Sequence, residues 1–417
     1  MELLKRVFGY QSDFYKYLNS VLIVLLLSML VVSNASQVRN LLALVAVIYC
    51  VVFIRKITFK CAGHSWWIYA VAFFGFYHML HIFFLGDPSA HISGYVKFLL
   101  MPVFFVYLFN TGFDSKAIFV GATIGGFLSL YYGVPEVINT HSSHRLSIGH
   151  NPIVLATLLL VYVVIYLELI FSSKYIVIKA IAVALIFGLI YLIVNTGVRG
   201  AYISLLFLLA IFSVRLILHL SFHKKILAVA LLLILSSVGL YWASSQPAVQ
   251  ARYQATVLEV ERIQQGDYVR SRSIWARFNA WQVAFAMIHE RPLLGYGETR
   301  SALLEHSERI VEERQITYNY FKRLPHAHNE FLQVWLEYGV FALLGLLLIF
   351  FALVYRPPIG SEWLLYSFLI VFILLSMTDS TFKNNILVTA FFVVGSILRL
   401  WRDPNIGNGI KEGQQTS

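Results

Sequence analysis

The chain is poor in charge. Only 13% of its 417 residues are Asp, Glu, Lys or Arg, against about 25% in an ordinary soluble domain. Apolar residues make up 59% and mean hydropathy is +0.73. Polar surface is too scarce to cover a globular core, which excludes a soluble domain. Cysteine is scarce too. Cys50 and Cys61 lie in or beside one early apolar run, so neither a disulfide framework nor a zinc ligand set is implied. The usual signs of nucleotide chemistry are missing: no Asp-x-Asp pair, phosphate loop or dinucleotide fingerprint occurs. A metal-bound nucleotide donor therefore has no support.

What is abundant is apolar sequence in long runs. Val21–Val32, Ile153–Ile170, Ile176–Val194 and Ile226–Leu240 approach or exceed the length that crosses a bilayer, about 20 residues. The chain reads as an all-α polytopic membrane protein. Twelve spans are expected, near 19–33, 39–54, 65–85, 93–110, 115–132, 152–171, 175–195, 200–220, 225–243, 328–354, 362–378 and 384–401. Val21–Val32 has no cleavable-signal pattern and reads as a retained anchor. With the N-terminus inside, Lys5, Arg6, Lys16, Arg55, Lys56, Lys60, Lys116, Lys174, Lys224, Lys225, Arg356, Arg402 and Lys411 all fall on the cytoplasmic side. This obeys the positive-inside rule and places both termini in the cytoplasm. The expected layout is spans one to nine over 1–243, an outer loop over 244–327, spans ten to twelve over 328–402, and a polar, Gly-rich tail over 403–417.

The outer side holds the exceptions. The 244–327 loop carries ten arginines but one lysine, Lys322. Arginine's planar fork suits bidentate binding of phosphate or carboxylate, and lysine is no substitute there. Most of the ten are expected simply to pair with nearby glutamates. Within the loop, Ser273–Glu290 reads as an amphipathic helix whose stripe of Ile274, Phe278, Trp281, Phe285 and Ile288 docks on the bundle, with Arg277 at its edge. A second helix is expected over Ser301–Glu313. Arg199 sits in a short break between spans, flanked by Gly197 and Gly200. An ionisable residue at such a break is a functional candidate by default. Arg145, beside His150 and Asn151, occupies a similar position.

One stretch organises the rest. Pro325-His-Ala-His-Asn-Glu-Phe-Leu-Gln-Val-Trp-Leu-Glu-Tyr-Gly339 leads straight into an apolar helix. His326 and His328 stand at its mouth, where positive helix-terminal charge disfavours imidazolium. A neutral histidine at the water boundary can serve as a general base; a polar cap is the competing reading. His78 and His81, three apart on one span, read as aromatic-lined core residues rather than metal ligands, since metal sites need three or four converging groups. Lys97 is read as snorkelling or meeting a lipid phosphate. Asp379 and Lys383 are expected to form a local ion pair in the last outer loop.

Three motifs together carry a resemblance. Val198-Arg-Gly200, then Arg277-Phe-Asn-Ala-Trp281 with Arg291-Pro-Leu-Leu-Gly-Tyr-Gly297, then His326-Ala-His-Asn-Glu-Phe-Leu332 with Glu337-Tyr-Gly339, resemble the O-antigen ligase/polymerase superfamily of membrane glycosyltransferases. The resemblance implies a glycosyltransferase C-like fold in a bacterial inner membrane, with a helical periplasmic loop between helices 9 and 10 and a periplasmic site. It implies transfer of a glycan from undecaprenyl pyrophosphate to a sugar hydroxyl of lipid A-core, with inversion and without metal or other cofactor. Its partners are those two lipid-borne glycans and membrane lipids, not nucleic acid. By motif position, His328 would be the base and Arg199 and Arg277 would bind the pyrophosphate. His326, Asn329, Arg145, His150, Arg270 and Arg272 are further substrate-binding candidates. A polymerase joining two lipid-linked glycans shares these motifs. A twelve-helix transporter is the rival from another class, disfavoured because the polar groups crowd one membrane face rather than the midplane.

Overall fold

The computed structural model describes residues 2–32, 35–53, 57, 61, 63–85, 92–139, 145–218, 220–266, 274–297, 300–316, 321 and 326–403. Arg270, Arg272 and the tail beyond Asp403 lie outside them, as does the side chain of Lys97. Every described element is helical. The helices are α1 (Glu2–Met29), α2 (Ala35–Val52), α3 (Ser65–Leu85), α4 (Ile92–Thr111), α5 (Lys116–Asn139), α6 (Pro152–Ser172), α7 (Ile176–Asn195) and α8 (Arg199–Leu218). They continue as α9 (Phe222–Ser245), α10 (Pro247–Gln264), α11 (Ile274–Glu290), α12 (Arg300–Glu313), α13 (Glu330–Val354), α14 (Glu362–Ser376) and α15 (Asn385–Leu400), the last with a π turn over Thr389–Val394.

Among the described residues, six helices are long and apolar enough to cross a membrane: α3, α5, α6, α7, α8 and α13. Others are apolar but shorter, including Gln37–Val52, Phe98–Thr111, α14 and α15. Each of the twelve expected spans coincides with a helix, although α1 begins far earlier than its apolar run. α6 is the central pillar, buried from Val154 to Leu169. Its neighbours close around it through glycines. Gly125 and Gly126 of α5 lie where a Cβ would overlap the hydroxyls of Tyr162 and Tyr166.

Polar groups gather at the two ends of this bundle. At one end buried Glu168 takes both Arg215 and Arg402, and His64 joins Asp403 to Arg399. Asp403, expected to open a solvated tail, is instead buried against His64. That pairing supplies the charge partner that makes its burial tolerable. The opposite end carries the loops 145–150, 196–198, 292–297, 326–329 and 377–384.

Two expectations about the 244–327 region are corrected here. First, α10 was not foreseen. It starts with Pro247 at its first turn and runs without Pro or Gly to Gln264, but it has no apolar stripe to announce it. Second, α11 docks by only part of the expected stripe. Ile288 is buried and Trp281 packs beside it, together with Ala276, Ala280, Val283, Ala284 and Met287, while Ile274, Phe278 and Phe285 point outward. Small residues let α11 approach α13 and α12 closely, and an outward aromatic costs little where the surroundings are apolar.

Candidate functional site

The site is built on α13. Asn329 caps this helix, its Oδ1 accepting from the backbone N–H groups of Phe331 and Leu332, while its Nδ2 donates to Met377 O. For Asn329 the cap reading of the sequence is therefore the observed one. His328 precedes the cap with φ +48°, the left-handed region that costs a non-glycine residue of order 1–3 kcal/mol. The residue before it is gripped at both ends. Ala327 N–H donates to Oε1 of Gln333 at 2.6 Å, and Ala327 O accepts from the indole of Trp281 at 2.8 Å.

This geometry presents His328 to Asp379, Nδ1 to Oδ1, at 3.2 Å. The two imidazoles of His326 and His328 stand edge to face, their ring centroids 4.0 Å apart. Burial pushes His326 down to about 4, helped by the positive charge of neighbours that include Lys383 and Arg277. It is thus neutral over the physiological range, and its Nδ1 has no hydrogen-bond partner among the described residues. Burial alone would raise Asp379. The hydrogen bond and charge of His328, with the Ser380 N–H at 2.9 Å, overcome that and hold its carboxyl below the usual range.

The expected local ion pair of Asp379 with Lys383 is corrected: Asp379 meets His328, and Lys383 meets the buried Glu337 at 2.6 Å. Long-range partners win because the tight turn between α14 and α15 aims Asp379 at the loop before α13 and Lys383 at α13 itself.

The motif Glu337-Tyr-Gly339 has a separate structural job. Gly339 breaks the helical φ/ψ pattern inside α13, at φ +79°, and a Cβ there would collide with the backbone of Leu293. Gly295, at φ +68°, approaches the backbone of Glu337 in the same way. The 292–297 turn then pairs with the kink: Tyr296 N–H donates to Leu336 O at 3.0 Å, Gly297 N–H to Glu337 O at 2.8 Å, and Val340 N–H to Pro292 O at 2.9 Å. Two motifs of the sequence are one backbone junction. Tyr338, beside it, packs against His78 at a tilt and His81 edge to face, and His81 bonds Leu294 O. Those histidines are aromatic-lined, as the sequence implied.

The arginines form the second half of the site. Arg199 opens α8 and donates to the Thr256 hydroxyl of α10 at 2.6 Å. Gly200 brings this helix start against Thr378, one residue from Asp379. Arg145 donates through Nε to Thr196 O at 2.9 Å, and Leu146 N–H to Asn195 O, strapping that loop onto the α7–α8 break. At Gly197, φ +63°, a Cβ would lie 3.1 Å from Nε of Arg252 and 3.6 Å from Nε of Arg145. The positive φ favours glycine here, and two guanidiniums lie beside it.

Arg252, on α10, is the residue the sequence reading passed over among the ten loop arginines. Burial lowers Arg145 to about 10, with the repulsion of Arg252, Arg277 and Arg199 adding to it. Arg252 is lowered likewise, by burial and then by Arg199 and Arg277. Arg277 therefore acts on both halves of the site, on the arginines and on His326. Among the described residues no carboxylate pairs with Arg145, Arg199 or Arg252, whereas Arg309 is satisfied by Glu290 and Glu313. His150 is turned elsewhere: its Nε2 meets Val31 O at 2.6 Å.

His326, His328 and Asp379 offer ligand atoms within 4.8 Å of one another and could in geometry hold a metal ion. Burial is the main cause that keeps His326 neutral, with His328 next and the Asp379 carboxylate working the other way. The assembled chemistry is also a histidine–carboxylate pair beside guanidinium charge: a proton acceptor next to an anion site.

Comparison with known proteins agrees with the motifs. The profile of the family described as O-Antigen ligase matches residues 184–347, a range that spans Arg199, Arg277, His328 and Gly339. An uncharacterized protein of Haemophilus influenzae (strain ATCC 51907 / DSM 11121 / KW20 / Rd) is 24% identical over 322 residues, 74% of this chain and 76% of that protein. Over residues 184–347 the chain is similar to the O-antigen ligase family.

Proposed function

We propose that the protein is an O-antigen ligase of a bacterial inner membrane, with this end of the bundle on the periplasmic side. It transfers a glycan from undecaprenyl pyrophosphate to a sugar hydroxyl of lipid A-core. The observation that carries this reading is the meeting of the His328–Asp379 pair with the arginine set of Arg145, Arg199, Arg252 and Arg277.

With Asp379 ionised, Nδ1 of His328 donates to it, and Nε2 carries the lone pair that takes a proton. The acceptor oxygen attacks the anomeric carbon as its proton passes to Nε2. The bond from that carbon to the pyrophosphate oxygen breaks on the opposite face, so the configuration inverts. The departing lipid pyrophosphate gains negative charge, and the arginines neutralise it. Forked guanidiniums suit two adjacent phosphates. This substitutes for the divalent cation that many pyrophosphate-releasing enzymes use. The 244–327 helices, with α10 and α11 supplying Arg252 and Arg277, form a roof over the site.

The test supplies the purified protein with undecaprenyl-pyrophosphate glycan together with lipid A-core. Glycan appearing on lipid A-core with inverted linkage supports the reading. Lengthening of the lipid-linked glycan, with lipid A-core untouched, assigns the protein to the polymerases. No glycan transfer at all removes both.

A further inference from the structure

We propose that Gln333, Glu337 and Lys383 form a positioning relay that holds His328 against Asp379. The inference rests on the catalytic pairing proposed above and extends it to three residues that touch neither substrate. His328 and Asp379 come from loops that the chain separates widely, one before α13 and one after α14. The His328 loop has no regular structure of its own, and the Asp379 loop has only one 3-10 turn, Thr381–Lys383. A 3.2 Å contact between them requires that something hold both.

α13 does so with one face. Glu330, Gln333 and Glu337 are spaced three and four apart and therefore line the same side of the helix. All three are buried, to 3%, 1% and 2% exposure. Polar groups at such depth are costly unless bonded, and each of these is. Gln333 reaches back to the Ala327 N–H, the amide between the two histidines, and forward through Nε2 to Oε1 of Glu337 at 2.7 Å. The same Glu337 oxygen takes the Lys383 ammonium at 2.6 Å, four residues past Asp379. Glu330 accepts from the Phe382 N–H at 3.0 Å, a second tie to that loop. The path runs from one loop through α13 to the other in three hydrogen bonds or ion pairs, with the Glu330 bond as a separate tie beside it.

The relay also explains a backbone cost. His328 at φ +48° is held in a conformation its own side chain disfavours. Gln333 and Trp281 fix the preceding peptide and leave the chain little alternative. Leucines at 333 and 337 would pack more simply; the polar set is what a site held to within an ångström needs. A misplacement of about 1 Å can cost about 10²-fold in rate.

Two experiments test the relay. The first needs no turnover. His328→Cys and Asp379→Cys are combined in a chain with Cys50 and Cys61 replaced by serine, and a short bis-maleimide joins the pair. Rapid cross-linking is expected in this background, slowed about tenfold or more when Gln333→Leu or Lys383→Met is added to detergent-purified, monodisperse protein. Unchanged cross-linking in such protein overturns the relay. The second follows glycan transfer. Lys383→Met is expected to lower kcat about 10²-fold with the donor KM unchanged, and Lys383→Arg to restore most of it. Lys383→Met with Glu337→Gln should exceed Lys383→Met alone, because the buried carboxylate no longer lacks its cation. A KM effect at constant kcat, or no rescue by arginine, contradicts the proposal. If the wild type transfers nothing, the functional reading fails while the cross-link still decides the relay.

Discussion

His328 and Asp379 meet at 3.2 Å across 51 positions of sequence, and the contact joins the two loops that flank α13 and α14 at one end of the bundle. A carboxylate on Nδ1 sets the tautomer and leaves Nε2 for proton transfer. The first prediction follows. Asp379→Asn keeps the shape but removes the charge, and transfer should fall by about 10²- to 10⁴-fold with little change in donor KM. Steady-state kinetics on the purified variant decides it, and near-normal kcat would mean that Asp379 only packs against the ring.

The arginine set makes a second prediction. Arg199→Lys and Arg277→Lys keep the charge and lose the fork. Each should cost about 10²-fold in transfer, because one point charge cannot grip two phosphate oxygens. Arg252→Lys should behave in the same way, since Arg252 borders Gly197 together with Arg145. The check is transfer at saturating acceptor; full activity in the Arg252→Lys protein would place that residue outside the anion site.

A third prediction concerns pH. Burial holds His326 near 4 in the folded protein, well below its ordinary 6.5. Between those values the unfolded chain binds a proton at this position and the folded chain does not. Stability contributed here is therefore lost as pH falls from about 6.5 toward about 4. His326→Gln should unfold at a melting temperature that varies less with pH over that window than the wild type's. Parallel curves for the two proteins would contradict the assignment.

Gly339 supports a fourth. Alanine there must adopt φ +79° and overlap the backbone of Leu293, whereas Gly266, at φ +76°, has open space around its missing Cβ. Gly339→Ala should abolish or severely reduce folded protein, and Gly266→Ala should cost only about 1 kcal/mol of backbone strain. Yield and thermal unfolding in detergent compare the two directly.

Much of this was legible in the sequence. Apolar run length announced the helices, and among the described residues six of them are long and apolar enough to cross a membrane. The clustering of Arg145, Arg199, Arg277 and His328 at one end followed from counting those crossings. What escaped has a common cause: it depends on partners distant in sequence. Asp379 beside Lys383 looked like a local ion pair, and nothing local reveals that Asp379 turns to His328 and Lys383 to Glu337 of α13. α10 has only Glu259 buried, and that carboxylate accepts from Ile274 N–H at the start of α11, a role that leaves no apolar period. On α11 the apolar stripe finds Trp281 and Ile288 but not the small residues Ala276, Ala280 and Ala284 that complete the docking face. Gly339 was recognised as part of a motif, but its reason, the approach of Leu293, lies 46 positions upstream.

The central claim is that His328 takes the acceptor's proton without help from a metal ion. The direct measurement is transfer of glycan from undecaprenyl pyrophosphate to lipid A-core by purified protein in excess chelator, comparing wild type with His328→Ala. Full activity of the wild type in chelator, lost in the variant, is the predicted result. Transfer that survives undiminished in His328→Ala, or a wild type silenced by chelator and restored by a divalent cation, would contradict the account.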